Sequence, residues 1–526
     1  MMVVTRFVGP WILVGALFTL GPAAGLAGAV PVDVGVAVVE LSDVRDEAPG
    51  RFIAGARYYL YDAIKIPVIH RVSIASDRTE GGDSSYLAAL SRDGRYAAFS
   101  SGAENLVPDD ANGQIDIFVH DREIRETVIV SRRPDGTPSD SLSNNPAISE
   151  DGRFVAFGTA AALVDEDTNG RPDVYVHDRD ADEDGVFDEP GATALVRVSV
   201  RTDGGQQLGG AGSDVPRISR EGRYVAFESD RSFGVPDFNG TVDVYVRDRD
   251  TDEDGVFDEP GAVATTRQSV DSDGVGTDLT VTLAGMSSNG RWVAFSSRGA
   301  YVPDDTNDLV DLYVHDRDPS GDGNFDESDD TRTVRVSVRS DETEATDDDA
   351  GSTASFTFNG RLVAFTSSAA LVPEDTNLQQ DVFLRNRDVN FDGQQDQPGD
   401  VETTRVSLSS TGAQVSALSG SPSITRDGRY VAFYSKAGDV IPTDFNGDWD
   451  AFVRDLTTGM TARVSVGYLG ESEGGNSIGT DFGGDPQWIV FRSTATNLVP
   501  HDDNGAQDVF VAPNPLYPWI PALPPY

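Results

Sequence analysis

Four stretches of this chain carry oxygen-bearing side chains at a spacing suited to metal chemistry: 180-DADEDGVFDE-189, 250-DTDEDGVFDE-259, 318-DPSGDGNFDE-327 and 388-DVNFDGQQDQ-397. Each has such side chains at positions 1, 3, 5 and 9 and glycine at position 6. A hard cation such as calcium takes six to eight oxygens; alternate residues of a tight loop can surround one ion while glycine permits the sharp turn. The spacing predicts calcium in each loop, about four ions in all. The first would be held by Asp180, Asp182, Asp184 and Asp188 with the Val186 carbonyl, and the second by Asp250, Asp252, Asp254 and Asp258 with Val256. The third would use Asp318, Ser320, Asp322 and Asp326 with Asn324, and the fourth Asp388, Asn390, Asp392 and Asp396 with Gln394. A solvated acidic hairpin turning on its glycine is the alternative.

A second acidic pattern, D-x-N-x-x-x-D, recurs seven times: Asp110/Asn112/Asp116, Asp167/Asn169/Asp173, Asp237/Asn239/Asp243, Asp305/Asn307/Asp311, Asp375/Asn377/Asp381, Asp444/Asn446/Asp450 and Asp502/Asn504/Asp508. Asp and Asn fix tight turns by bonding nearby backbone. The same oxygens could also ligate calcium. Both readings stand at this level.

Other chemistries find little footing. With no cysteine, disulfides, thiol nucleophiles and thiolate metal sites are excluded. Three of the five histidines, His120, His177 and His315, share one V-H-D-R register and read as structural or exposed repeat residues. No G-x-S-x-G elbow or phosphate loop is present. Ser91, Ser149 and Ser219 precede the repeat's turns and have no base beside them.

The elements that must position these loops are a repeat. An anchor D-G-R-aromatic-V-A-F stands at 93-DGRYAAF-99, 151-DGRFVAF-157, 221-EGRYVAF-227, 289-NGRWVAF-295, 359-NGRLVAF-365 and 427-DGRYVAF-433, with a degenerate seventh at 485-DPQWIVF-491. Each unit continues into a D-V-Y-V strand and an R-V-S-V strand, with a short strand ahead of the anchor. β-Branched and aromatic enrichment makes all four strands, and the Asp-Gly, Asn-Gly or Glu-Gly pairs make tight turns. The anchor is apolar on both faces, as a strand sandwiched between neighbouring sheets requires. Four-stranded sheets repeated radially make a β-propeller. The fold class is therefore all-β, a seven-bladed propeller over residues 68–512. R-V-S-V-type strands also number seven, but the first, 71-RVSI-74, precedes the first anchor and none follows the last unit. The N-terminal strand is expected to complete the final blade.

Two resemblances follow. The string S-x-D-G-R-Y-V-A-F-x-S, then D-V-Y-V-x-D-R-D, resembles the WD-repeat-like propeller repeat of the TolB family. That resemblance implies an envelope protein that binds partner proteins through its propeller. The family has six blades behind an α/β domain, whereas this chain has seven units and a short leader. The four inserts resemble EF-hand calcium loops. They lack the flanking helices, and position 12 is Gly191, Gly261, Asp329 and Gly399 rather than Glu. Glu189, Glu259 and Glu327 at position 10 are candidate substitutes.

In a meander, alternate turns lie on opposite rims. The inserts, between third and fourth strands, should share a rim with the anchor turns. The D-x-N loops should share the other with the long connections between blades, whose variability suits a partner.

Arg6, the apolar run from Phe7 to Leu20 and the small residues ending at Ala29 read as a secretory signal peptide, residues 1–29. Residues 30–67 form an N-terminal extension, and 513–526 a Pro-rich tail. No other stretch is long and apolar enough to span a membrane. Lys and Arg number 41 against 87 Asp and Glu, a net charge of −46, which excludes nucleic acid as a natural partner. The expected function is an exported, calcium-binding, non-catalytic scaffold, secreted or periplasmic, that engages a protein or glycan at the propeller rim. The alternative is a polysaccharide-degrading hydrolase or lyase with carboxylates or a metal in the central channel.

Overall fold

The computed structural model describes residues 68–518, apart from 207–209, 234–239, 328, 346–348, 469 and 472–474, together with two short strands, Ile12–Gly15 and Val36–Val39, that pair with each other. The rest of the expected signal peptide and N-terminal extension, and residues 519–526 of the tail, lie outside the described residues.

Seven four-stranded antiparallel sheets follow one another along the chain. Blade 1 comprises Ser85–Leu90, Tyr96–Ser101, Asp116–Asp121 and Glu126–Ile129, in hydrogen-bonded order from the channel outward. Blades 2 to 6 repeat the order, with anchor strands Phe154–Thr159, Tyr224–Ser229, Trp292–Ser297, Leu362–Ser367 and Tyr430–Ser435. Blade 7 takes three strands, Ser477–Asp481, Trp488–Ser493 and Asp508–Pro513, from the C-terminal end and its fourth, His70–Arg71, from the N-terminal end. His70 pairs with Val511 and Arg71 with Phe510, and the Val72 N–H reaches the Val509 carbonyl at 2.9 Å. The chain is a seven-bladed β-propeller closed as its repeat count predicts.

The anchor strands form the core because both faces of each are covered. Val225, Ala226 and Phe227 are fully buried and Tyr224 nearly so. Burial of one such large side chain contributes about 1.5–3 kcal/mol. The outer strand is shorter than the whole V-R-V-S-V string: in blade 2 it is Ala194–Arg197. Beyond Arg197 the Val198 N–H still reaches the Val174 carbonyl at 2.9 Å, but the Val174 N–H goes to the Ser199 hydroxyl at 3.0 Å, which in turn donates to Asp173 at 2.6 Å.

Adjacent blades are joined by a contact the repeat motif encodes. Gly222, in the blade 3 anchor turn, has φ +80°, and a Cβ there would lie 2.2 Å from Cδ2 of Phe154 of blade 2. Arg249 of blade 3 donates to the Gly222 carbonyl at 2.8 Å and lies over the Phe154 ring at 4.9 Å. The same arrangement pairs Arg179 with Tyr96 and Arg317 with Tyr224, and Arg122 closes blade 1 onto Trp488 of blade 7 at 4.0 Å. Glycine is required both for its backbone conformation and for the close approach of the neighbouring ring.

Candidate functional site

The four inserts connect the third and fourth strands of blades 2 to 5, on the rim that carries the anchor turns. Position 6 has φ of +86° at Gly185, +89° at Gly255, +95° at Gly323 and +85° at Gly393, so the turn is of the kind glycine was expected to permit. The carboxylate at position 1 is buried and organises each loop: Asp180 accepts the N–H groups of Asp184 and Gly185, both at 3.1 Å. Asp250, Asp318 and Asp388 do the same for their loops. Asp184, Asp254, Asp322 and Asp392 in turn accept the N–H of position 7, which is Val186, Val256, Asn324 and Gln394.

In the first two loops the carboxylates of positions 1, 3 and 5 converge: one oxygen from each of Asp180, Asp182 and Asp184, and of Asp250, Asp252 and Asp254, lies within 4.8 Å of the others. Slight desolvation and then the charge of Asp254 raise the Asp252 carboxyl above its ordinary value. In the last two loops position 3 is Ser320 or Asn390, and the third carboxylate comes from position 13: Asp318, Asp322 and Asp330 converge, as do Asp388, Asp392 and Asp400. Position 13 of the first two loops is Ala192 and Ala262. Each loop thus assembles three carboxylates by one of two routes. Asp330 and Asp400 escaped the spacing argument; the paired exchange of acid between positions 3 and 13 was the available signal.

Position 9 has a different partner. Asp188, Asp258, Asp326 and Asp396 pair with Arg179, Arg249, Arg317 and Arg387, the buried arginines of the blade junctions. Asp326 also accepts from Thr266 at 2.8 Å and Gln268 at 3.1 Å, in the outer strand of blade 3 and just beyond it. Burial opposes its ionisation, but the Arg317 charge and these hydrogen bonds hold it below its ordinary value. Phe187, Phe257 and Phe325, at position 8, pack 5.3, 5.3 and 5.1 Å from the anchor rings Tyr96, Phe154 and Tyr224 of the preceding blade. These three inserts therefore span blade junctions, and ordering an insert orders the junction beneath it.

The D-x-N-x-x-x-D loops, on the opposite rim, are built differently. The last aspartate of all seven is buried and accepts the R-V-S-V serine hydroxyl at 2.5–2.7 Å, as in Ser73 to Asp508 and Ser465 to Asp450. The asparagine amide donates to that carboxylate, as Asn169 does to Asp173 at 2.6 Å. The strand arginine then enters between the two acids: Arg197 lies 3.0 Å from Asp167, Arg405 3.2 Å from Asp375 and Arg71 3.3 Å from Asp502. A cation supplied by the chain already sits against these acid pairs, which favours the turn reading. Blade 1 has Ile129 in the arginine's register. Burial there pushes Asp116 up to about 6 and also raises Asp110.

His120 and His315 are buried, each with Nδ1 2.8 Å from a threonine hydroxyl of the outer strand, Thr127 and Thr333. Arg247 donates to Thr265 from the same register at 3.0 Å, so this position is structural. Ser91 and Ser149 bond the aspartates of their own turns, Asp93 and Asp151. Glu150 and Asp481 are the carboxylates lining the central channel among the described residues. Glu150 bonds Arg426, and Asp481 bonds Ser423 at 2.9 Å, where burial raises its pKa.

No family model and no curated protein matches the sequence. Solved structures similar to it include a putative TolB from Agrobacterium tumefaciens, 14% identical over 76% of this chain and 98% of that one, with a TM-score of 0.35. The β-propeller domain of the Trilobed protease from Pyrococcus furiosus is 12% identical over 82% and 94%, at 0.42. An acylaminoacyl peptidase from Pyrococcus horikoshii is 11% identical over 82% of this chain and 51% of its own, at 0.41. Blade number, closure and loop chemistry rest on the strand ladders and side chains described above. Among the described residues no helix is long and apolar enough to cross a membrane.

Proposed function

We propose that this chain is an exported, calcium-stabilised propeller that serves as a non-catalytic binding scaffold, outside the cytoplasm, for a protein or glycan partner. The observation that carries the metal assignment is the maintained set of three converging carboxylates in each insert. A solvated hairpin has no need to restore at position 13 an acid missing at position 3. Three carboxylates, supplemented by backbone carbonyls and water, fit the all-oxygen demands of calcium. The ion would neutralise mutually repelling charges and stiffen loops that, in blades 2 to 4, reach across to the neighbouring blade.

The partner face is assigned to the D-x-N rim. There Leu378 of blade 5 and Phe445 of blade 6, in adjacent blades, are 84% and 81% exposed. A partner covering both loops would remove these two apolar side chains from water.

The test is calorimetric titration of residues 30–526 with calcium, paired with thermal melts in calcium and in chelator. About four sites and a higher melting temperature in calcium are expected. Absence of binding heat and an unchanged melt would overturn the metal assignment. Leu378→Glu with Phe445→Glu should abolish partner capture without moving the melt; capture unaffected by the pair would place the partner elsewhere.

A further inference from the structure

The anchor turns meet around one mouth of the central channel. The residue two before the turn glycine, or its equivalent in blade 7, is Arg92, Glu150, Arg220, Ser288, Phe358, Arg426 and Gly484 in blades 1 to 7. Main-chain hydrogen bonds tie these turns together: Arg92 to Glu150 and Glu150 to Arg220 at 2.9 Å, Arg220 to Ser288 at 2.7 Å, and Arg426 to Gly484 at 3.2 Å. The side chains at the mouth are therefore carried on a rigid collar.

Arg426 reaches across the channel from blade 6 and donates to Glu150 of blade 2 at 3.2 Å. Its guanidinium lies 3.8 Å from the Phe358 ring centre, which fixes its plane. Arg92 approaches the same Glu150 oxygen at 3.9 Å, and Arg220 lies over the same Phe358 ring at 5.4 Å. Burial raises the Glu150 pKa, and Arg426, Arg92 and Arg220 all oppose that rise. Glu150 thus faces three guanidinium groups. Arg220 has one further acceptor, Glu221. The cavity that opens outward from this point has a volume of about 520 Å³ and is bounded by Arg92, Phe358, Arg361 and Arg426 together with the turn acids Asp427 and Asp485; the channel behind it, of about 400 Å³, is lined by Arg217 and Arg220 with Glu150 and Asp481.

We propose that the channel mouth binds a small organic dicarboxylate, with one carboxylate on Arg426 and Arg92 and the second toward Arg220. Planar guanidinium forks match carboxylate geometry, and stacking on Phe358 holds Arg426 ready for it. Glu150 occupies part of the anion's place, so it acts as an internal competitor that the ligand must displace from Arg426. The fourth insert borders this cavity, with Phe391 against Arg361 at 4.5 Å and Gln395 donating to the Asn359 carbonyl at 2.7 Å, but none of the arginines assigned to the anion is a residue of a metal loop.

The experiment is titration of the full mature chain, with calcium held constant, using succinate, neutral succinamide and inorganic sulfate as probes. Succinate should bind and succinamide should not. Arg426→Gln should weaken succinate at least ten-fold and Arg92→Gln several-fold. Glu150→Gln, which removes the competitor and keeps the side chain's size, should tighten it several-fold. Ile124→Ser, on the exposed outer turn of blade 1, should change nothing. Equal binding of succinamide, tighter binding of sulfate than succinate, or weaker succinate binding in Glu150→Gln would each overturn the proposal. The Glu150→Gln result decides the matter even if Arg426→Gln fails to fold.

Discussion

Arg335, in the outer strand of blade 4, places Nη1 3.3 Å from Asp305 and 3.2 Å from Asp311, two acids of the loop that joins the second and third strands. All three side chains are almost wholly buried. The guanidinium therefore stands where a bound cation would otherwise be needed. Arg335→Met should lower stability by about 3–5 kcal/mol, because it strands two buried carboxylates. Denaturant midpoints of the variant and parent measure this; a change within about 0.5 kcal/mol would show that the pair is already compensated.

Within the inserts, position 13 and position 9 should separate by metal dependence. Asp330→Ala and Asp400→Ala should each remove one calcium site in titration while leaving the melt in chelator unchanged. Asp326→Asn should lower the melt with and without calcium, since it breaks the contact with buried Arg317. If all three behaved alike, the division between metal-facing and arginine-facing acids would be wrong.

Closure of the ring depends on Ser73 as well as on the short ladder beside it. Its hydroxyl donates to Asp508 at 2.5 Å and accepts the Val509 N–H at 3.0 Å. Ser73→Ala should cost about 1.5–3 kcal/mol, the range for a hydrogen bond to a charged group. Deleting residues 68–76 should destabilise the whole propeller, because Asp502 and Asp508 then lose Arg71 too. A truncated protein that melts like its parent would refute closure by this strand.

Acid should weaken the fold through its histidines. Burial, chiefly, lowers His120, His177 and His315 from 6.5 to about 4. As pH falls from 6.5 toward 4, the unfolded chain takes up protons that the folded chain refuses, so each histidine costs up to about 3 kcal/mol at the bottom of that window. Asp116, raised to about 6, and Asp502, raised to about 7, act in the opposite sense, since the folded state protonates them first. His315→Arg, which copies the Arg247 register, should flatten part of the decline in melting temperature between pH 7 and 5; an unchanged slope would show that His315 does not contribute.

The repeat made most of the architecture legible. Seven anchors predict seven blades, and the count of R-V-S-V strings, with 71-RVSI-74 ahead of the first anchor, places the N-terminal strand in the last blade. Strand boundaries were less legible. The regular strand ends at Arg197 rather than Val200 because the Ser199 hydroxyl, not a backbone carbonyl, takes the Val174 N–H. The inserts were legible as glycine-turned acidic loops, since residues within one tight loop are neighbours whatever surrounds them.

What the sequence by itself determined is what short-range periodicity controls: the strands, their number, the turn positions and the alternation of inserts and D-x-N loops between rims. Only the tertiary structure decided which acids converge and which are taken by arginine. Asp330 and Asp400 join their loops when the chain returns to the hairpin's base, and Asp188 and its equivalents turn to the buried arginines beneath. The Arg426 to Glu150 contact spans 276 residues and exists because the closed ring brings blades 6 and 2 face to face across the channel. Residue spacing carries no record of that curvature, which arises from how seven twisted sheets pack around one axis.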